Sequence, residues 1–404
     1  MTLVLTNAHL IDCINPEPMS GASVTVEDGR IVEVLGGGRP PATRGARVID
    51  LQGSYLLPGL WDVHVHLEWP RLVSPTLPEQ AIQYGFNARQ GLLEAGVVGI
   101  RTAGVPHFID VGLKRAFEAW QPAGPRVFAS GYFLTTTAGH ALATGFAKAC
   151  DGPSGFVKAI REQIQHGVDH IKLNLTGGIM GPSWDRHWHS FMLPEELEAA
   201  FTICHQRGYP VMAHAASPEA VKAALRLGAR TVEHGYIMDD DCLKLFLERD
   251  AWYVPTLGIT HLTPDQATTP WERRWLEGRN LTPDLIKRAE DAVDEHRAWF
   301  QRALQAGVKM ALGSDLRPLR DAVWLEMGLW VKDGATTWHT LLAATRYAAE
   351  VCGMGHDLGT VEVGKLADLI VVRRNPLEDI HNLRALELVF KAGRLVADHR
   401  KEAV

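Results

Sequence analysis

A chain of 404 residues with 46% hydrophobic and 22% charged side chains has the composition of a folded globular protein, which excludes the disordered and fibrous classes. Its 41 Lys and Arg against 47 Asp and Glu leave a formal charge of −6, with both signs interspersed, so charge does not point to nucleic acid. Five widely spaced cysteines (Cys13, Cys150, Cys204, Cys242, Cys352) form no CxxC pair, the start MTLVLTNAHLID lacks signal-peptide character, and no apolar run reaches bilayer length.

Residues 1–57 alternate apolar and polar side chains in short stretches, and Asp28-Gly29 between two β-branched runs predicts a hairpin. From 58 to 357 the pattern changes. Eight short apolar runs (GLWDVHVHL, VVGIRTAG, PRVFASGY, DHIKLNL, PVMAHA, ARTVEHG, AWYVPTL, VKMALGSD) alternate with amphipathic stretches such as PEELEAAFTICHQRG. Eight strand–helix alternations with right-handed crossovers predict an α/β fold, a (β/α)8 TIM-like barrel, with a doubly wound open sheet as the alternative. Residues 358–404 return to β-rich sequence, with a second turn at Ala392-Gly393. The two ends, 1–57 and 358–404, are expected to form one small β-sandwich domain, since chain termini often lie close together.

His64 and His66 lie two apart on the first run, so on a strand both imidazoles share a face and can approach one metal. Lys172 lies in IKLNL, a run otherwise apolar enough to be buried; a buried lysine needs an ion pair or must lose its charge. His214, His234 and Asp315 each end a strand of their own, at the barrel face where catalytic groups gather. Any one of these is ordinary core chemistry. Four histidines, a lysine and an aspartate on strands one, four, five, six and eight are not.

With those residues in place, the sequence resembles the amidohydrolase superfamily of metal-dependent hydrolases, from its β-rich start through PGLWDVHVHL to GTVEVGKLADLIVVRRNPL. The resemblance implies two divalent ions, zinc first with manganese or cobalt as alternatives, held by His64, His66, Lys172, His214, His234 and Asp315. Lys172 would carry a CO2-derived carbamate. IKLNLTGG, AHAASPEAV and VEHGYIMDDD look most like the group of Xaa-Pro dipeptidases and N-acyl-amino-acid hydrolases. The implied reaction is cleavage of an amide bond in a dipeptide, N-acyl amino acid or related amide by a bridging hydroxide, with Asp315 as the proton shuttle. His140, in TTTAGHALATG, matches a family histidine that contacts the substrate or the tetrahedral intermediate, although its flanking residues depart from the family's GGHG-like loop.

Tyr236, after the strand-six histidine, is expected at the substrate, together with Arg317 for a substrate carboxylate and Trp188 from a lid. That lid, SWDRHWHSF, also holds Asp185, His187 and His189, a conceivable third metal site. The rivals are a single-metal deaminase or cyclic-amide hydrolase, and a non-enzymatic scaffold. The deaminase pattern HxxE at strand five is missing, since the segment runs His214-Ala-Ala-Ser217. A cytoplasmic homo-oligomer acting on a small molecule, without membrane or nucleic acid, is expected.

Overall fold

The computed structural model describes residues 2–39, 41–42, 44–68, 76–120, 124–279 and 281–400. The strand Leu60–Val65 pairs in parallel with Val97–Thr102, which pairs with Arg126–Phe128. Ile171–Asn174, Val211–Ala215, Thr231–His234 and Trp252–Val254 follow as parallel neighbours. Backbone hydrogen bonds close the ring. Asp169 N–H donates to Ala129 O at 2.7 Å between strands three and four. The eighth run joins both sides of the gap: Tyr253 N–H donates to Lys309 O at 2.9 Å, and Val63 N–H to Leu312 O at 3.0 Å. The open-sheet alternative is therefore excluded.

The eighth run is less regular than its sequence suggests. It makes a single bridge, Met310 to Tyr253, before the chain turns at Asp315, whose N–H donates to His64 O at 2.9 Å. Two strands unforeseen in the sequence, Phe133–Thr135 and Ala147–Ala149, pair in parallel and frame the loop that carries His140.

Helix boundaries follow local chemistry. Pro194–Arg207 opens with proline, which needs no N–H partner there, and ends at Gly208 with φ 71°, a conformation that strains any residue with a Cβ. Pro283–Ala306 starts with Thr282 Oγ1 accepting from Leu285 N–H and stops at Gly307, φ 73°. Their apolar faces cover the barrel. Trp61, Phe156, Phe201 and Phe300 are fully buried, each contributing about 1.5–3 kcal/mol by burial.

Strands from both chain ends form one curved sheet. Met19–Glu27 pairs with Arg30–Leu35 on one side of Thr2–Leu10; Tyr55–Pro58, Leu369–Val372, Leu386–Lys391 and Arg394–Asp398 continue from the other. Thr2–Leu10 belongs to both halves, with a register shift between Leu5 and Ala8 and a left-handed Asn7 (φ 56°) at the bend. The sheet thus folds over a separate core containing Leu5, Val24, Val26, Val371 and Phe390, making the sandwich. Asp28-Gly29 and Ala392-Gly393 both have positive φ, as two-residue hairpin turns require. Among the described residues no helix is long and apolar enough to cross a membrane.

Candidate metal centre

His64, His66, Lys172, His214, His234 and Asp315 line one cavity of about 90 Å³ at the carboxyl ends of the barrel strands. The donor atoms of His64, His66 and Asp315 lie within 4.8 Å of one another. His66 Nε2 stands 3.4 Å from Asp315 Oδ1, and His64 Nε2 stands 4.0 Å from Asp315 Oδ2. The rings of His214 and His234 are 4.4 Å apart, and that of His234 is 4.9 Å from His64. His234 and Asp315 both have left-handed backbones (φ 71° and 54°), strain that persists only where the surrounding structure enforces it.

Each imidazole commits its one N–H to a protein acceptor. His64 Nδ1–H donates to Glu233 Oε2 at 2.7 Å, and His66 Nδ1–H to Gly104 O at 3.1 Å. His214 Nε2–H donates to Gly177 O at 2.7 Å. His234 Nδ1 is 2.7 Å from Thr256 Oγ1, whose own hydroxyl donates to Pro255 O at 2.6 Å, so the threonine accepts from the histidine. These acceptors fix the tautomers and leave a lone pair on Nε2 of His64, His66 and His234 and on Nδ1 of His214. Burial holds all four well below the ordinary histidine value, and the Lys172 ammonium adds to this in each case. Four neutral imidazoles with free lone pairs around one small cavity are a donor set suited to divalent metal.

Lys172 makes no ion pair among the described residues, and its buried Nζ has no hydrogen-bond partner. Burial pulls its pKa down to about 8, against the opposing pull of Glu233 and Asp315. A buried amine so close to neutrality, lacking an acceptor, fits a group completed by something the chain does not itself supply. Burial raises the carboxyl of Asp315, with Arg317 and Lys172 opposing.

His140 lines the same cavity, its ring stacked 4.7 Å from His214. Its Nδ1–H donates to Asp185 Oδ2 at 2.6 Å, and among the described residues Asp185, His187 and His189 do not come together as a metal-ligand cluster. His187 is buried 5.8 Å from the ring of Tyr236, whereas His189 Nδ1 faces Trp184 O at 3.3 Å. Tyr236 lines the cavity, 5.3 Å from the His234 ring. Arg317 also lines it, but its guanidinium is ion-paired with Glu68. Trp188 is about half exposed (53%) and does not line the cavity, because the lid turns its ring outward beside His187.

Sequence reasoning missed the groups behind the donors. Glu233 is fully buried and takes a 3.0 Å ion pair from Arg101, whose Nε–H also donates to Val63 O at 2.7 Å. A lone acid in the buried run ARTVEHG was the available signal. Asp62 is likewise buried, accepting from Ser314 N–H at 2.9 Å and from His64 N–H at 3.2 Å, and so ties strand eight to strand one.

The chain belongs to the amidohydrolase family, which it matches over residues 55–396, and is therefore an enzyme of the hydrolase class. It is 26% identical to the ochratoxinase of Aspergillus niger over 94% of this chain and 83% of that protein. It superposes on a Xaa-Pro dipeptidase solved with methionine in its active site with a TM-score of 0.86, at 26% identity and covering 98% and 99% of the two chains. A prolidase solved with N-methylphosphonate-L-proline gives a TM-score of 0.86 at 28% identity, covering 98% and 100%.

Proposed function

We propose that this enzyme is a binuclear metal-dependent amidohydrolase that cleaves the C–N bond of a dipeptide, an N-acyl amino acid or a related acyl or aryl amide. One observation carries the reading: four buried neutral imidazoles, each with its N–H committed elsewhere, line a cavity shared with Asp315 and the unpartnered Lys172. The likeness to an ochratoxinase, a Xaa-Pro dipeptidase and a prolidase supports the substrate class.

His64, His66 and Asp315 would hold one ion and His214 and His234 the other, with Lys172 shared between them as a carbamate. Its neutral amine adds to CO2, forming one N–C bond and releasing one proton, and the product is an anion that offers two oxygens. When bound, two divalent ions would lower the pKa of a water between them and polarise a carbonyl. Asp315, with its pKa raised by burial, is suited to take a proton from that water and pass it to the departing nitrogen. His140, oriented by Asp185, faces the same space and can donate to an oxyanion when its ring carries both protons. Tyr236 closes one wall of the cavity.

The division into a composite end domain (1–57 with 358–404) and a barrel (58–357) belongs to the same proposal, supported by their separate cores. A reducing, cytoplasmic setting is supported by the five cysteines, all of them free thiols.

The test is a screen of dipeptides and N-acyl amino acids with protein loaded with zinc or manganese. Hydrolysis that a chelator abolishes and added metal restores is expected. No turnover of any amide, or turnover indifferent to chelator, would overturn the reading.

A further inference from the structure

The cavity of the histidines adjoins a wider hollow of about 660 Å³. The two share the side chains of Thr144, Phe146, Met180, Arg279 and Arg317, so the hollow continues the cavity outward. A substrate whose scissile bond sits among the histidines has this hollow for one of its two halves.

The two shared guanidiniums are not equivalent. Arg317 faces the carboxylate of Glu68, so its charge is compensated within the protein. Arg279 follows the helix Pro270–Glu277, and its guanidinium lies 4.9 Å from the ring centre of Trp275. That ring is itself fixed, its Nε1–H donating to Arg317 O at 3.0 Å. Arg279 forms no ion pair among the described residues, and its buried Nη1 has no hydrogen-bond partner. Burial, together with Arg317, pulls its pKa down to about 10, so it stays charged at neutral pH while poorly solvated. A charged donor buried without an acceptor is costly, and where it faces a substrate hollow the acceptor can come with the ligand.

We infer that Arg279 anchors a free carboxylate on the amino-acid half of the substrate, with Arg317 beside it as a flank whose charge Glu68 cancels. This rests on, and narrows, the amide-hydrolase reading. Of the two guanidiniums that reach the cavity of the histidines, only Arg279 lacks an ion pair among the described residues, while Arg274 lines only the outer hollow. The planar fork of Arg279 suits bidentate contact with one carboxylate. Met180, Leu281 and Leu285 line the hollow nearby and fit an apolar side chain on the same residue. The substrate class is then an N-acyl amino acid or dipeptide whose carboxyl-terminal residue is apolar, as opposed to an amide without a carboxylate.

The test titrates zinc-loaded protein with N-acetyl-L-phenylalanine and with its uncharged analogue N-acetyl-L-phenylalaninamide, by calorimetry, alongside hydrolysis of both. The wild type should bind the acid at least about 10-fold more tightly than the amide. Arg279→Met should weaken the acid by about 10- to 100-fold and leave the amide unchanged. Arg279→Lys should recover part of the loss, which a merely structural role would not give. Equal weakening of both ligands, or a wild type indifferent to the carboxylate, overturns the anchor. Acid-selective binding through Arg279 without turnover of any amide leaves the anchor and removes the hydrolase reading. Turnover of amides with no preference for the acid does the reverse.

Discussion

The Nδ1 of His140 stands 2.6 Å from Oδ2 of Asp185, and this pair locks the loop after strand three to the lid after strand four. Asp185 is itself held, its Oδ1 accepting from Gly178 N–H at 3.0 Å, while Arg288 donates to Gly181 O at 2.9 Å. Gly178 is required here, because a Cβ would lie 2.3 Å from the His140 ring. Asp185→Asn keeps the size but replaces the carboxylate that accepts from His140 Nδ1–H with an amide that can present an N–H there instead. A fall in kcat of about 10- to 100-fold is expected at unchanged metal content, checked by steady-state kinetics beside elemental analysis. An unchanged kcat would assign the pair to lid structure alone.

Glu233 should govern metal retention through His64. Its carboxylate fixes the His64 tautomer at 2.7 Å, and Glu233→Gln can present an amide N–H there instead. Metal affinity is expected to drop about 10- to 100-fold, measured by competition with a chromogenic chelator. Because Arg101 loses its partner as well, the thermal midpoint is followed in parallel.

Metal content tests the donor set directly. Two divalent ions per chain are expected in the wild type, and fewer in His64→Ala and in His214→Ala, with hydrolysis lost in both. Full occupancy in either variant would sink the assignment. The fold should survive, since the donors sit at the barrel rim while the packed core lies beneath them.

Lys172→Ala should lose the second ion and nearly all activity, and formate or propionate added with metal should restore part of both. Among the described residues the buried Nζ makes no hydrogen bond that the alanine would sacrifice. Intact mass of the active protein provides the second readout, one CO2 above the sequence mass. Normal activity in the alanine variant would exclude a bridging role for Lys172.

Asp315→Asn keeps a weak ligand oxygen but cannot carry a proton. A fall in kcat of at least about 10²-fold is expected with metal largely retained. If kcat holds, the proton travels elsewhere, and His140 is the group to test next.

What the sequence determined by itself is the periodic part of this protein. Apolar runs of strand length alternating with amphipathic stretches pointed to a parallel α/β fold, a barrel or an open sheet, because each helix must bury its stripe against a sheet and the crossovers share one hand. The hydrogen bonds from the eighth run to strands one and seven decided for the barrel. The same register placed His64, His66, Lys172, His214, His234 and Asp315 at strand ends on one face, which alternation along a strand makes legible. Asp28-Gly29 and Ala392-Gly393 marked their hairpins because few residues accept positive φ at both turn positions. Tertiary structure decided the partners. Glu233 meets His64 across 169 positions of chain, and Asp185 meets His140 across 45. No local propensity records such a pairing, because it depends on how strands stack around the barrel and where loops fold back. The sequence pointed to Arg317 for a substrate carboxylate and gave no sign that would single out Arg279. Only the fold gives one of them Glu68 and leaves the other buried over Trp275 without an acceptor, since charge compensation depends on distance in space and not along the chain.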